Sequence, residues 1–344
     1  MREAVLLVGG QGTRLRPLTL TTPKPLLPVA GMPFLAHQLA ALRRAGVDHV
    51  VLATSYRAEI FQETFGDGSP VGLRVTYLHE DAPLGTGGAI RNAASGLNSR
   101  PDDPVVILNG DVLSGHDLAG QVDFHCSVDA DVTLHLVEVD DARAYGCVPT
   151  DDEGRVSAFL EKMDSPVTSW VNAGSYVFRR SVIDAIPAGQ VVSVERDTFP
   201  SLLESGRDVW AWKETAYWCD VGTPEALVRC SADVVLGVAP SAALMVPHGQ
   251  AWFGDADRPP TDVQVFGGSS IGAGVHIGSG AVIDASIVMP GAVIGAGATV
   301  TRSAIGSEAV VGDGAVVVES VLGDHARVAP GASLAPGTRV EASS

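Results

Sequence analysis

Residues 7–29 read LVGGQGTRLRPLTLTTPKPLLPV. An apolar run, EAVLLV at 3–8, stops at Gly9 and Gly10, and Arg14 and Lys24 follow it. A buried strand that ends in glycines with cations beyond it has the makings of an anion site. Glycines let backbone N–H groups come close to oxygens, and an arginine can fork onto them. The stretch is not the dinucleotide fingerprint, because Leu15 stands where the third glycine would be. It is not a P-loop either, because no GK[ST] follows.

Outward from this stretch the first part of the chain alternates strands and helices. HVVLAT (49–54), RVTYLHE (74–80) and PVVILNGD (104–111) are short apolar or β-rich runs. Between them, PFLAHQLAALRRAG places Phe34, Leu35, Leu39 and Leu42 at helical spacing and stops at Gly46. Alternation of this kind predicts βαβ units and a mostly parallel, Rossmann-like α/β sheet. Such sheets bind ligands at the carboxyl ends of their strands. GGQG and NGD both fall there.

From about Asp131 the rhythm changes. DVTLHLVEV, GRVSAFLEK, WVNAGSYVF and DVWAWKE read as further strands of the same sheet. TPEALVRCSADVVL reads as a closing helix capped by Thr223, with Pro224 in its first turn. GVAPSAALMVPHGQAWFGDADRPPTDV lacks periodicity and reads as a connector. After it, Ile271, Ile277, Ile283, Ile294, Val300, Ile305, Val311, Val317, Leu322, Val328, Leu334 and Val340 recur mostly six residues apart. That spacing predicts a left-handed β-helix of hexapeptide repeats with one aliphatic residue pointing inward per face. The expected division is an α/β domain at 1–236, a linker at 237–262 and the β-helix at 263–344.

The formal net charge of −17 argues against nucleic-acid and anionic-membrane partners and sets local cations in relief. Cys126, Cys147, Cys219 and Cys230 lack CxxC spacing and read as thiols in a reducing compartment. The start MREAVLLVGG does not read as a signal peptide, and the expected location is cytoplasmic.

GGQGTRLRPLTLTTPKPLLPV resembles the signature of the sugar-1-phosphate nucleotidyltransferases. HEDAPLGTGGAI (79–90), NGD (109–111), YGCV (145–148), LEKMDSP (160–166), VNAGSYVF (171–178) and YWCDVGTPE (217–225) follow in that family's order. With the terminal coil they cover nearly the whole chain, and the branch they most resemble guanylylates mannose 1-phosphate. The resemblance implies joining a nucleoside triphosphate to a sugar 1-phosphate with release of pyrophosphate. The sugar phosphate attacks the α-phosphorus in line, so catalysis consists of positioning and charge neutralisation. It further implies that Gly9, Gly10, Gly12 and Thr13 cradle the triphosphate, that Arg14 neutralises its outer phosphates, and that Lys24 serves the transferring phosphoryl. Pro83, Gly85 and Thr86 would join the nucleotide site. Lys162 would grip the sugar phosphate beside Glu161, with Gly146, Asn172 and Gly174 shaping the sugar pocket. Asp111 and Asp220 would hold Mg²⁺, an ion that takes one or two carboxylates together with substrate oxygens.

Glu80 adds a reading of the base. Guanine offers two neighbouring N–H donors that a carboxylate accepts as a fork, whereas adenine does not and thymine or uracil offers one. His276 and His325, on the coil, raise the possibility of a hexapeptide acyltransferase; with no acidic partner visible for either, they read as surface histidines. The residues also leave room for a different sugar or cyclitol phosphate, for adenylyl or thymidylyl transfer, and for a non-catalytic regulatory relative. Against the last, Arg14, Lys24, Asp111, Lys162 and Asp220 are all present. The expected partners are the two small-molecule substrates and further copies of the chain, through the coil.

Overall fold

A computed structural model describes residues 2–55, 57–80, 82–161, 163–244, 249–254 and 260–341. The chain divides into two compact units, one built from Met1–Gly10 and Gln38–Trp218, the other from Gln11–His37 and Cys219–Ser344. The division falls inside the glycine-rich stretch, so Gly9 and Gly10 belong to the first unit and Gly12 to Lys24 to the second.

In the first unit, strand Arg2–Leu7 lies inside a seven-stranded sheet. The order is Val209–Lys213, Val132–Glu138, Trp170–Arg179, Pro104–Asn109, Arg2–Leu7, Val47–Thr54, Arg74–His79. Trp170–Arg179 runs antiparallel to both neighbours, and the remaining pairs are parallel. The sheet is therefore mixed and mostly parallel. Its central strands are apolar on both faces; Ala4, Val5 and Leu6 are fully buried, as are Val50, Val51 and Leu52.

GRVSAFLEK departs from its reading as a strand. Val156 donates to Val209 O at 2.9 Å while Leu160 exchanges hydrogen bonds with Cys147, so the segment crosses between two partners and forms isolated bridges only.

One buried polar cluster ties the amino ends of three strands together. The buried Glu3 carboxylate meets His49 Nδ1 at 2.6 Å and accepts from Asn98 N at 2.8 Å and Ser99 N at 2.7 Å. His49 Nε2 reaches Thr76 Oγ1 at 2.9 Å. Burial raises the Glu3 pKa, but the hydrogen bonds from His49, Asn98 and Ser99 outweigh it and the net direction is down.

In the second unit, Thr223 caps helix Pro224–Leu236 by accepting from Ala226 N at 3.3 Å, and Gly237 ends the helix at φ 78°. Beyond it three parallel sheets stack coil on coil, the arrangement of a left-handed β-helix. Val288 is 1% exposed in its core and fills the gap between Ile283 and Ile294. The aliphatic steps are thus six, six and five through most of the coil, a rhythm that sequence spacing alone breaks at that point. The five-residue corner has its own chemistry. Ala285, Arg302 and Glu319 take positive φ there, each followed by a buried serine. Ser303 N donates to Ser286 Oγ and Ser320 N to Ser303 Oγ, both at 3.1 Å and 17 residues apart. Each hydroxyl in turn donates to a carbonyl two residues back, so the buried column is fully paired. The connector also contributes a strand, Ala251–Phe253, paired with Ser269–Ile271.

His276 and His325 are both exposed. His325 does have an acidic partner, Glu308 Oε2 at 3.3 Å, which sits one coil earlier and is distant in the linear spacing. Both side chains are largely exposed to solvent, so the contact is a surface one.

The lowered pKa of Glu3 fixes a sign. Its stabilisation is present above the unfolded pKa and lost as pH falls through the lower folded value. Glu3→Gln is expected to cost about 3 kcal/mol at neutral pH and to flatten the acid limb of the stability–pH curve. Denaturant melts across pH measure both; an unchanged acid limb would show that Glu3 does not carry it.

Candidate active site

Four neighbouring parallel strands of the first unit, Pro104–Asn109, Arg2–Leu7, Val47–Thr54 and Arg74–His79, end on one edge of the sheet. The residues just past those ends are, in order, Asp111, Gly9 with Gly10, Ser55, and Glu80. Three interstrand steps of about 4.8 Å put the outer two strands roughly 14 Å apart. That spacing suits a nucleotide lying along the edge with its base at one end and its phosphates at the other.

The turn that carries Asp111 is tightly specified. A Cβ on Gly110 would lie 2.4 Å from Leu7 O, so only glycine fits, and Gly110 N donates to that same oxygen at 3.0 Å. Gln38, 4% exposed, clamps the turn from below by donating to Asn109 O at 2.8 Å and Val112 O at 2.9 Å. A lone glutamine on an amphipathic helix gives no sign of this task in the sequence. Nearby, Gly10 has φ 112° and its N–H meets Ser55 Oγ at 3.4 Å. Ser55, too, has no motif to reveal it.

At the other end of the edge Glu80 is half-buried. Its Oε2 meets Leu84 N at 3.5 Å, and its buried Oε1 has no hydrogen-bond partner among the described residues. Burial pushes its pKa up, against smaller opposing effects of Leu84 N–H and His79. Such a carboxylate gains from any ligand that brings donors.

The last two glycines of GTGG pack against backbone. Gly87 N and Gly88 N donate to Val192 O at 2.8 and 3.2 Å, and a Cβ on Gly85 would sit 2.6 Å from that oxygen. These amides are spent on packing helix Gly85–Ala93 against the backbone of Val192. Thr86 donates to Glu195 Oε2 at 2.8 Å and accepts from Val194 N at 2.8 Å, so Glu195 fixes its rotamer. Pro83 is exposed beside them.

Four of the residues expected around the sugar phosphate, Gly146, Glu161, Asn172 and Gly174, come together. Asn172 N donates to Gly146 O at 3.0 Å, and a Cβ on Gly146 would lie 3.0 Å from Glu161 Oε2. Lys162 lies outside the described residues. Gly174 takes φ 74° at an irregularity where Leu134 pairs with Tyr176 but Leu136 with Asn172. This bulge turns the Asn172 amide so that it accepts from Gly174 N at 3.1 Å and donates to Tyr176 Oη at 2.8 Å. Burial raises the Tyr176 pKa far above the phenol range, so its hydroxyl stays neutral. His135, opposite the bulge and fully buried, stacks on His116 with centroids 4.0 Å apart. Burial, then repulsion from His116, lowers the His135 pKa to about 2, so it acts here as an uncharged packing group.

In the second unit Gly12 takes φ 58°, and a Cβ there would lie 3.0 Å from Thr19 Cγ2 and 3.1 Å from Lys24 Cβ. Thr19 Oγ1 donates to Gly12 O at 2.8 Å. This close approach sets Lys24 beside the glycine loop. Thr13 and Arg14 are exposed, and Asp220 is half-buried at the end of strand Trp218–Asp220. Two residues on, a Cβ at Gly222 would come within 2.8 Å of Arg14 Nη2, so the CDVG turn makes room for the guanidinium. Gly222 falls within YWCDVGTPE without a role of its own there, whereas no sequence pattern singles out Gln38, Ser55 or Glu195.

Among the described residues no group of three or more His, Cys, Asp or Glu side chains could enclose a metal ion. Asp111 and Asp220 are hard oxygen donors, and Mg²⁺ commonly uses just one or two carboxylates with phosphates and water. Each is a donor of the kind that ion takes.

Gly222→Val drives a side chain into the Arg14 guanidinium. It should lower kcat/KM for the nucleotide by about tenfold or more with little change in thermal midpoint. Steady-state kinetics at varied nucleotide decide it, and wild-type values would show that Arg14 tolerates displacement.

The family model for nucleotidyl transferases matches residues 3–235, and that for the GMPPB C-terminal domain matches residues 262–339. Mannose-1-phosphate guanylyltransferase of Mycobacterium tuberculosis is 52% identical over 287 residues, covering 83% of this chain and 79% of that protein. The mannose-1-phosphate guanylyltransferase catalytic subunit beta of Drosophila pseudoobscura pseudoobscura is 39% identical over 65% of this chain and 60% of its own length. Among solved structures, HddC from Yersinia pseudotuberculosis complexed with GMP-PN matches with TM-score 0.58 and 31% identity, covering 68% of this chain and 100% of that one. With both family models matched and such relatives in hand, the chain belongs to the nucleotidyl transferase family, as a mannose-1-phosphate guanylyltransferase-like member.

Proposed function

We propose that the protein transfers the guanylyl group of GTP to mannose 1-phosphate, releasing pyrophosphate and GDP-mannose. The observation that carries this reading is the strand edge of the first unit. It sets an under-satisfied, half-buried carboxylate, Glu80, at one end and the braced Asp111 turn at the other. Glu80 takes the two N–H donors of guanine, and Gly9, Gly10, Gly12 and Thr13 take the phosphates. Pro83, Gly85 and Thr86 complete the nucleotide side, with Glu195 holding Thr86 in place.

A phosphate oxygen of the sugar phosphate forms a bond to the α-phosphorus as the bond from that phosphorus to the β-phosphate oxygen breaks. The electron pair leaves with pyrophosphate. Neither event calls for a protein nucleophile or a proton transfer. Two anions must instead be held in line against their repulsion. Arg14 neutralises the outer phosphates and the leaving group, and Lys24 the transferring phosphoryl. Lys162 grips the sugar phosphate, while Gly146, Glu161, Asn172 and Gly174 bind and orient the sugar. Asp111 and Asp220 would hold Mg²⁺, which when bound draws charge from the phosphate oxygens.

The matches at 3–235 and 262–339 support a functional division into 1–236, 237–262 and 263–344. Phe266 and Phe253, at 37% and 38% exposure on the coil, support a homo-oligomer assembled through it. Scattered cysteines without CxxC spacing support a reducing, cytoplasmic setting. Among the described residues no helix is long and apolar enough to cross a membrane.

Pyrophosphate release across a matrix of nucleoside triphosphates and sugar phosphates tests the proposal. GTP with mannose 1-phosphate should lead, and preference for another pair would overturn it. Asp111→Asn should lower kcat by about 10²–10³-fold with an unchanged melt; normal turnover would remove Asp111 from the site.

Glu80 gives a pH signature. Its pKa stands above the ordinary value, and bound guanine favours the carboxylate, so GTP binding releases a proton at low pH. The KM for GTP should therefore rise as pH falls through that raised pKa. Glu80→Gln should abolish this dependence and reduce the preference for GTP over ATP, without loss of thermal stability. An unchanged nucleotide ratio in that variant would contradict the assignment.

A further inference from the structure

We propose that the edge of the last coils, formed by Gly323, Asp324 and Arg339, positions the Gly12–Lys24 segment and so makes the β-helix a working part of nucleotidyl transfer. The inference rests on the reading that Arg14 and Lys24 act on the triphosphate.

Three contacts within the second unit converge on the stretch between those two cations. Thr21 Oγ1 donates to Asp324 Oδ2 at 2.6 Å. Arg339 Nη1 donates to Arg16 O at 3.0 Å. A Cβ on Gly323 would lie 3.0 Å from Pro17 Cβ and 3.1 Å from Pro17 Cγ, so the proline ring sits directly on the coil backbone. The contacts flank the short 3-10 turn Leu18–Leu20 on both sides. Of its three residues, Leu18 and Thr19 are buried.

The coil side of this junction is stiff. Asp324 Oδ1 accepts from Ser307 N at 2.8 Å, and Gly323 N donates to Val340 O at 2.8 Å. Asp324 thus spends one oxygen on the coil and the other on the loop. The loop side leads to the cations. Leu20 N donates to Pro17 O at 3.0 Å, closing the turn, and Thr19 Oγ1 grips Gly12 O at 2.8 Å. Gly12 in turn abuts both Thr19 and Lys24. A shift of Pro17 or Thr21 must therefore move Thr19, Gly12 and Lys24 as well. Interior hydrogen-bond ladders hold the coil, whereas the loop has only short turns of its own. Placement is accordingly imposed by the coil on the loop. Asp324 and Arg339 are positioning residues that touch no substrate.

The test uses the full chain with Thr21→Val, Asp324→Ala, their double variant, and Asp324→Asn. Thr21→Val and Asp324→Ala should each lower kcat about tenfold, with the sugar-phosphate KM and the thermal midpoint unchanged. The double variant should be no worse than Asp324→Ala alone, since both remove one bridge. Asp324→Asn should recover activity to within about twofold, because its amide can still accept from Ser307 N–H and donate to the Thr21 hydroxyl. Should Asp324→Ala not fold, Gly323→Val, which wedges Pro17, should give the same fall in kcat. Wild-type kcat in Thr21→Val and Asp324→Ala, or additive losses in the double variant, would overturn the proposal. Lys24→Ala separates the two levels. If Lys24→Ala is inactive while the bridge variants are normal, the coil's role fails; if Lys24→Ala is fully active, the reading of the site fails first.

Discussion

Electrostatic repulsion between two polyanions is the constraint on which this structure turns. A chain with a net charge of −17 must hold a nucleoside triphosphate and a sugar phosphate within bonding distance. It can do so only by concentrating donors and cations locally. In the proposed mechanism the resources are backbone amides of Gly9, Gly10 and Gly12, the guanidinium of Arg14 and the ammonium of Lys24. Their value depends on being fixed before the substrates arrive, because a cation that must first reorganise returns little to the reaction. Much of the surrounding architecture serves that fixity. Gln38 clamps the Asp111 turn, Gly222 leaves a slot for Arg14, and Thr19 ties Gly12 into the segment that carries Lys24.

The sheet supplies the long dimension of the site. Parallel strands end together, so the residues just past four adjacent strands form a ruler from Asp111 to Glu80. The antiparallel strand Trp170–Arg179 breaks that regularity for a purpose. Its bulge opposite His135 turns Asn172 and Gly174 toward one another. The His116–His135 stack lies opposite it, with His135 fully buried and uncharged.

The alternation of strands and helices, the capped helix Pro224–Leu236 and most of the coil can be read from the sequence because each follows a local rule. Periodicity, a Thr-Pro start and a six-residue step are written in consecutive residues. What escapes such rules is set by partners distant in sequence. Val288 belongs to the core, but the five-residue corner shifts its register, and only the stacking of coils reveals the serine column that makes that corner possible. GRVSAFLEK has a strand's composition, yet its two partners lie in different places. Gln38, Gly222 and Glu195 meet Asn109, Arg14 and Thr86, 71, 208 and 109 positions away, and spacing flags none of these pairings. Gly87 and Gly88 of GTGG also escape a local rule, since their amides serve Val192, about a hundred residues away.

The central claim is that the protein steadies two anions and forms no covalent bond to either. The stereochemical course at the α-phosphorus tests it most directly. With the α-phosphorus of GTP made chiral by sulfur and oxygen-isotope labelling, one in-line displacement by mannose 1-phosphate must invert the configuration in the GDP-mannose formed. Net inversion is the result this account predicts. Net retention would signify two successive displacements through a guanylylated protein and would contradict it.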